Sequence, residues 1–452
     1  LRKQILSFDF PILRCTADFD PYGRVPPAWL GEDRYDYAFT DRLLEGQDVG
    51  VVLDIVTCSP PWWDALHGEE LVVWEDGSTR HPLKCGKDQV PSLGSAPWRK
   101  AMKTNIERLV RHVEASSRAD RVAGYAVSFG ASDNWTHFGT EEGFLFDYHP
   151  GWDPVPAPAD RAFVDPRGFR EPERHRSIID HGRRLARTTA EAIMDAAGAV
   201  KAASPRPFGV RYGDFFRPLA WQNGLQHSGQ LGLHHLLDCP DIDFLLDAVP
   251  EASARLHGKS KGSKEARIAC VLDDDSMYYV QRPKEQLEEL IAGQCRELKD
   301  FDIVLFRDLE EAPPYRFLIF PNLFFADQSV REFVHRILKR NQATALWLVA
   351  PGFVDREARF ENMEKLTGIR AVKPDKPHRS VIEAEGMKYG NPGMFAHTPV
   401  IADEACRILG TYEDSGLPGL GEKRMDGWRS LYSGAPVVCA GLIERFVEEA
   451  FS

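Results

Sequence analysis

From Pro11 to Ala248 short β-branched runs alternate with long amphipathic stretches, and this alternation constrains the fold more than any other feature. Val49 to Thr57 (VGVVLDIVT) is the strongest run, nearly continuous and bounded by turn residues, as for a strand covered on both faces. Pro11 to Phe19, Val122 to Phe129, Pro207 to Phe216 and Ile242 to Ala248 read as further strands. Asp36 to Leu44 predicts a short helix. Trp98 to Ser117 predicts a longer one, with Met102, Ile106, Leu109, Val110 and Val113 on one face. Arg176 to Ala203 repeats that pattern with Ile179, Leu185, Ile193 and Val200. Strand, helix and strand in turn favour a parallel α/β architecture. Tyr148 to Glu173, rich in proline and charge, reads as a long surface loop.

The composition changes abruptly around Arg255 to Glu265, where LHGKSKGSKE marks a domain boundary. Residues 1–258 form the first expected domain and 266–452 the second. In the second, strands are expected at Ala266 to Leu272, Phe301 to Phe306, Phe317 to Phe320 and Ala345 to Val349. Helices are expected at Pro283 to Leu298 and Ser329 to Arg340. Short connections suggest a doubly wound open sheet. Tyr278, Tyr279, Phe324 and Phe325 either form a subunit face or fill this domain's own core.

Charge and motifs exclude several functions. The net charge is −12, from 68 acids and 56 bases, with no long basic block, so a nucleic-acid partner is not expected. No apolar stretch is long enough for a membrane span, and Leu1 opens no recognisable signal peptide. The eight cysteines include no CxxC, so no structural zinc is expected, and their placement suits a reducing, cytoplasmic setting. Glycine-rich phosphate loops are absent and no cofactor is expected. Asp273-Asp274-Asp275 lacks EF-hand spacing and reads as a helix cap or subunit contact. His234 and His235 are neighbours on a helix, expected to point different ways, so no metal is assigned to them.

The chemistry concentrates in Arg121 to Gly139, RVAGYAVSFGASDNWTHFG. An apolar strand runs into small turn residues, then directly into Asp133, Asn134, Trp135 and His137. Polar and aromatic side chains at the carboxyl end of a buried strand are how a (β/α)₈ barrel builds an active site. The same logic selects Trp62 and Trp63 after the second strand, Tyr212 and Asp214 after the next, and Asp247 and Glu251 after the last. The aromatic residues would stack on a ligand's flat faces or pack in the core. Asp54, inside an apolar strand, needs a partner, and Arg14 or Arg211 on neighbouring strands could supply it.

The runs CSPPWWDALHGEE, PSLGSAPWRKAM, GYAVSFGASDNWTHF and HSGQLGLHHLLDCPDIDFLLDAVPEASAR, in this order, resemble family-42 glycoside hydrolases, the β-galactosidases and their relatives. ACVLDDDSMYY, LWLVAPGF and GWRSLYSGAP extend the resemblance over nearly the whole chain. It implies a (β/α)₈ TIM-type barrel followed by a trimerisation-type α/β domain, flavodoxin- or amidotransferase-like, and hence a homo-oligomer, a dimer or trimer. It also implies retaining hydrolysis of a β-galactoside or related plant or algal saccharide, by two carboxylic acids ~5–5.5 Å apart. Asp133 and Asn134 stand where relatives carry the acid/base, and an amide cannot donate a proton as a carboxylic acid does. Counted on the resemblance, the strand after Arg121 is the fourth, and Ile242 to Ala248 the sixth. The barrel therefore lacks strands in this chain, and the nucleophile is expected outside it. The alternative is a carbohydrate-binding relative that has lost its proton donor.

Overall fold

The computed structural model describes residues 10–48, 50–80, 86–130, 133–138, 147–152, 168–212, 229, 231–246, 268–280, 289–298, 301–392 and 399–451. Two compact units emerge, one built from residues 1–163 and 177–254, the other from 164–176 and 255–452.

Among its described residues the first unit is organised by five parallel strands, β1 (Ile12–Thr16), β2 (Val51–Val56), β3 (Val122–Ser128), β4 (Phe208–Arg211) and β5 (Phe244–Leu246). They lie side by side in chain order, each hydrogen-bonded to its predecessor. A sheet that grows monotonically in one direction is the pattern of barrel strands, whereas a doubly wound sheet reverses at a switch point. Every residue of β2 is buried, as its unbroken apolar run demands. Val52, Ala126 and Phe244 cluster on one face, where the missing side chain of Gly209 makes room for the Phe244 ring.

Three helices described here follow the strands: α1 (Ala38–Glu45), α2 (Pro61–Leu66) and α3 (Ala96–Ala115). Ser95 caps α3 by accepting from the Trp98 amide at 3.0 Å, and Pro97 occupies its first turn. The long helix α4 (Arg176–Ala203) lies beside α3, joined by Arg99 to Asp195 at 2.6 Å and Lys103 to Asp195 at 3.0 Å. A shorter helix, α5 (Leu233–Asp238), precedes β5. Among the described residues no helix is long and apolar enough to cross a membrane.

Among the described residues of the second unit, nine strands form one mixed sheet. Five are parallel: β6 (Ile268–Leu272), β7 (Phe301–Leu305), β8 (Phe317–Phe320), β9 (Thr344–Leu348) and β14 (Arg429–Ser433), in the spatial order β7-β6-β8-β9-β14. Antiparallel β10 (Ser380–Ala384), β11 (Met387–Asn391), β12 (Arg407–Tyr412) and β13 (Pro418–Arg424) extend it beyond β14. Helices α6 (Gln328–Asn341) and α7 (Ala440–Phe451) belong to this unit. The antiparallel half was not legible in the sequence, because its strands carry glycine and charge where burial is one-sided.

One expectation is corrected, and one open alternative is decided. Tyr148 to Glu173 is not simply a solvated loop: His149 and Trp152 are buried in the first unit, and Phe169 and Arg170 in the second. Asp147, fully buried just before them, accepts from the Trp152 indole at 2.7 Å and from the Val73 and His149 amides, and also from Ser92. Phe169 packs on Phe324 and Phe353, and the Arg170 amide donates to Tyr279 O at 2.8 Å. Second, Tyr278, Tyr279 and Phe324 are buried and Phe325 stacks on Tyr279 at 4.4 Å, so these aromatics fill the unit's own core rather than an exposed face. Asp273 is likewise internal. It accepts from the Asp275 amide at 3.3 Å just before a short 3₁₀ turn, Asp275–Tyr279, whose N-cap residue Asp274 makes no side-chain cap bond.

Candidate active site

The carboxyl ends of β1, β2 and β3 bring one charged cluster together. Arg14 on β1 lies in register with Asp54 on β2, and its Nη2 stands 3.5 Å from Asp54 Oδ2. The same nitrogen lies 2.9 Å from Asp133 Oδ2, so one guanidinium bridges two carboxylates. Asp54 is fully buried and also accepts from Ser128 Oγ at 2.5 Å. Burial pushes its carboxyl up, opposed by the Ser128 hydroxyl and by the Arg211 and Arg14 charges. The pairing proposed for Asp54 from sequence is thus present with Arg14.

Asp133 is held from a second side. Arg24 donates Nη1 to Oδ2 at 2.6 Å and Nη2 to Oδ1 at 2.9 Å, a bidentate grip. Arg24 is itself anchored by Asp20, which takes Nε at 3.1 Å and Nη2 at 2.8 Å as well as the Arg24 and Val25 amides. Although burial raises the Asp20 carboxyl, these donors hold it below its ordinary value. Tyr22 lies under the Arg24 guanidinium at 4.4 Å and donates its hydroxyl to Gly130 O at 3.3 Å. Asp133 and Trp135 both adopt left-handed backbone, φ 63° and 60°, which non-glycine residues rarely occupy outside constrained sites.

A second buried group lies at the end of β2. Lys87 Nζ pairs with Asp64 Oδ2 at 2.7 Å and donates to Ser59 Oγ at 3.0 Å and to Ser59 O. Ser59 Oγ in turn donates to Asp64 Oδ1 at 2.5 Å. Burial raises the Asp64 carboxyl and the Lys87 charge opposes it. Asp18, wholly buried after β1, accepts from the Thr57 and Thr16 hydroxyls and the Phe19 and Cys58 amides, tying β1 to β2. Of the basic groups at this rim, the sequence points to Arg14, as a partner for Asp54, and not to Arg24 or Lys87. Asp20 and Arg24, four apart around Pro21 and Gly23, were the available signal.

The aromatic candidates divide sharply. Trp135 is fully buried, its indole donating to Val127 O at 3.0 Å and its ring packed on Phe129, the arrangement of the core-packing alternative. His137 is buried too; its Nε2 lies 3.0 Å from Thr189 Oγ1, whose hydroxyl is already donated to Leu185 O, so His137 is the donor. Trp63 packs on Trp98 and His67, and Tyr212 donates to Gly229 O while accepting from the Gly232 amide. All three are buried. Trp62 alone of the aromatic candidates is half-exposed, edge-on to Trp29 at 4.7 Å and donating to Trp29 O at 3.2 Å. Asn134 is half-buried beside Asp133. Asp214, Asp247 and Glu251 lie outside the described residues. Among the described residues no group of three metal-ligating side chains comes together. The rings of His234 and His235 do meet, with centroids 3.9 Å apart, contrary to the divergence expected of helix neighbours.

No protein-family model matches the chain, and no curated protein matches it in sequence. Solved structures do match in fold. A β-galactosidase from Bacillus circulans sp. alkalophilus superposes with a TM-score of 0.59 at 14% identity, over 97% of this chain and 84% of that one. One from the Antarctic haloarchaeon Halorubrum lacusprofundi gives 0.57 at 14% identity, over 97% and 85%. A catalytic mutant of a GH42 β-galactosidase from G. stearothermophilus gives 0.57 at 12% identity, over 97% and 83%. Along nearly its whole length the chain is therefore similar in fold to family-42 β-galactosidases.

Proposed function

We propose that this chain is a carbohydrate-active protein that takes a β-galactoside, or a related plant or algal saccharide, at the carboxyl rim of β1 to β3. The fold likeness supports the class, and the rim supplies what a sugar needs. Trp62 offers a partly open aromatic surface, while Arg14 and Arg24, each about a third exposed, offer guanidinium faces beside a buried acid.

Two readings divide at the reaction. The first is retaining hydrolysis, in which Asp133 protonates the leaving oxygen and a nucleophile outside the described residues attacks. The second is saccharide binding without turnover. One observation favours the second: both oxygens of Asp133 already accept from Arg24, and one of them also stands in an ion pair with Arg14, 2.9 Å away. A general acid must carry a proton to the leaving oxygen, and here that proton would face two guanidinium donors. Asp133 is better placed to organise the rim than to protonate a substrate, and the neighbouring Asn134 amide cannot substitute.

The test is a panel of aryl β-galactosides and plant and algal oligosaccharides, assayed for hydrolysis and, by calorimetry, for binding. Binding without release of aglycone establishes the second reading. Hydrolysis that disappears in Asp133→Ala establishes the first, and neither binding nor hydrolysis across the panel removes the proposal.

A further inference from the structure

The second unit holds a pair of thiols in contact that the saccharide site does not use. Cys270 sits in the middle of β6, fully buried, and Cys295 lies half-exposed on a short helical turn, Gln294–Arg296. Their sulfurs are 4.0 Å apart, across 25 residues of sequence. We infer that Cys270 and Cys295 form a reversible disulfide under oxidising conditions, with Cys295 as the thiol that meets the oxidant.

Three features carry this. The separation is a van der Waals contact, and closing it to the bonded length of about 2.05 Å takes a side-chain rotation plus a small shift of one element. The turn that carries Cys295 is preceded by a π-helical stretch, Glu289–Gly293, so the irregular winding lies on the side of the pair that would have to move. Accessibility is also unequal: Cys295 reaches solvent and Cys270 does not, which separates the attacking thiol from the resolving one.

With hydrogen peroxide as oxidant, the Cys295 thiolate attacks one peroxide oxygen, breaks the O–O bond and becomes a sulfenic acid, releasing hydroxide. The Cys270 sulfur then attacks the Cys295 sulfur, forming the S–S bond and expelling the sulfenic hydroxyl as a second hydroxide. The protons lost by the two thiols convert both hydroxides to water, so two thiols and one peroxide give one disulfide and two waters.

The bond would bear on the end of the chain. Gln294 donates Nε2 to Val438 O at 3.2 Å and accepts from the Val438 amide at 2.8 Å, and Glu297 accepts from the Ala440 amide at 3.0 Å at the start of α7. Fixing Cys295 to β6 therefore fixes the turn that braces α7.

The experiment treats the full chain with hydrogen peroxide, blocks the remaining thiols by alkylation and maps the products by mass spectrometry. The expected result is one cross-linked peptide pair joining Cys270 to Cys295, reversed by dithiothreitol, with titratable thiols falling from eight by two. Cys295→Ser, at the half-exposed position, should abolish that loss, and Cys270→Ser should leave a Cys295 sulfenic acid that dimedone traps. An equal loss of thiols in Cys295→Ser overturns the inference. So does oxidation of wild-type Cys295 to the sulfinic acid with Cys270 still reduced. If Cys270→Ser does not fold, the wild-type peptide map and Cys295→Ser decide the matter by themselves.

Discussion

Arg24 and Asp133 face each other as fork and carboxylate, with parallel bonds of 2.6 and 2.9 Å, although 109 residues separate them. This pair ties the segment after β1 to the segment after β3. Asp133 is nearly buried, so removing its main partner leaves a poorly compensated charge. For fully buried pairs such a loss costs about 3–5 kcal/mol; with Arg24 a third exposed and Arg14 still in place, Arg24→Ala is expected to cost ~1–3 kcal/mol. Arg24→Lys should recover less than half of that, because an ammonium cannot reproduce the planar fork. Urea denaturation of the three proteins checks the ranking, and equal stability of Arg24→Ala and wild type contradicts it.

Trp62 and Trp135 were equivalent candidates in sequence, and their surroundings now separate them. Trp62→Ala should weaken saccharide binding by roughly tenfold, the loss of about 1–2 kcal/mol of aromatic contact, while leaving the thermal midpoint nearly unchanged. Trp135→Ala should do the reverse, costing roughly 3–5 kcal/mol of stability, because it empties a fully buried site beside Phe129 and removes the bond to Val127 O. Calorimetric titration beside thermal melts distinguishes the two. A Trp135→Ala protein that melts like wild type would return that residue to the ligand.

The strands were legible because burial on both faces writes an unbroken apolar run, as in Val51–Val56, and α3 was legible because burial on one side writes a 3.6-residue period. The position of Asp133 was legible too, since an acid after a buried strand stands out. Its chemistry was not. What decides whether a carboxylate donates or merely anchors is the identity of its neighbours in space, and Arg14 and Arg24 reach it from more than 100 residues away. The burial of Trp63, Trp135 and Tyr212 was not legible for a related reason: an aromatic residue at a strand end has the same sequence signature whether it lines a cleft or plugs the layer beneath it.

Two buried acids set a pH dependence. Burial pushes Asp18 up to about 7 despite its four donors, and burial also pushes Asp273 up to about 7. In the unfolded chain an aspartate ionises near 3.9, so between about pH 4 and pH 7 the folded protein holds protons that the unfolded chain has released. Their stabilising contribution is complete below pH ~4 and is lost as pH rises through about 7. The thermal midpoint should therefore fall between roughly pH 5 and pH 8, and Asp18→Asn should flatten part of that slope. A midpoint that climbs over this range, or a slope unchanged by Asp18→Asn, contradicts the assignment.

Gly130 is where β3 hands its chain to the rim, and the hand-over tolerates no side chain. Its φ of 81° lies in the left-handed region, and a Cβ there would stand 1.9 Å from Thr136 O. That oxygen belongs to the backbone, so no rotamer change relieves the clash; the stretch from Gly130 to Thr136 must open. Opening it displaces Asp133, which sits between the two, and loosens the Tyr22 hydroxyl from Gly130 O. Left-handed strain alone costs about 1–3 kcal/mol in a non-glycine residue, and the overlap adds to it. Gly130→Ala is thus expected to destabilise the first unit by at least ~2 kcal/mol and to abolish saccharide binding even in the fraction that folds, since the carboxylate that orients Arg14 and Arg24 has moved. Gly23→Ala makes the matched comparison: its φ of 66° carries similar strain, but nothing lies within 4 Å of the added carbon. That variant should lose ~1 kcal/mol and keep its ligand. Melts and titrations of both proteins separate backbone strain from displacement of the rim, and equal effects at the two positions would show that the geometry around Asp133 does not govern binding.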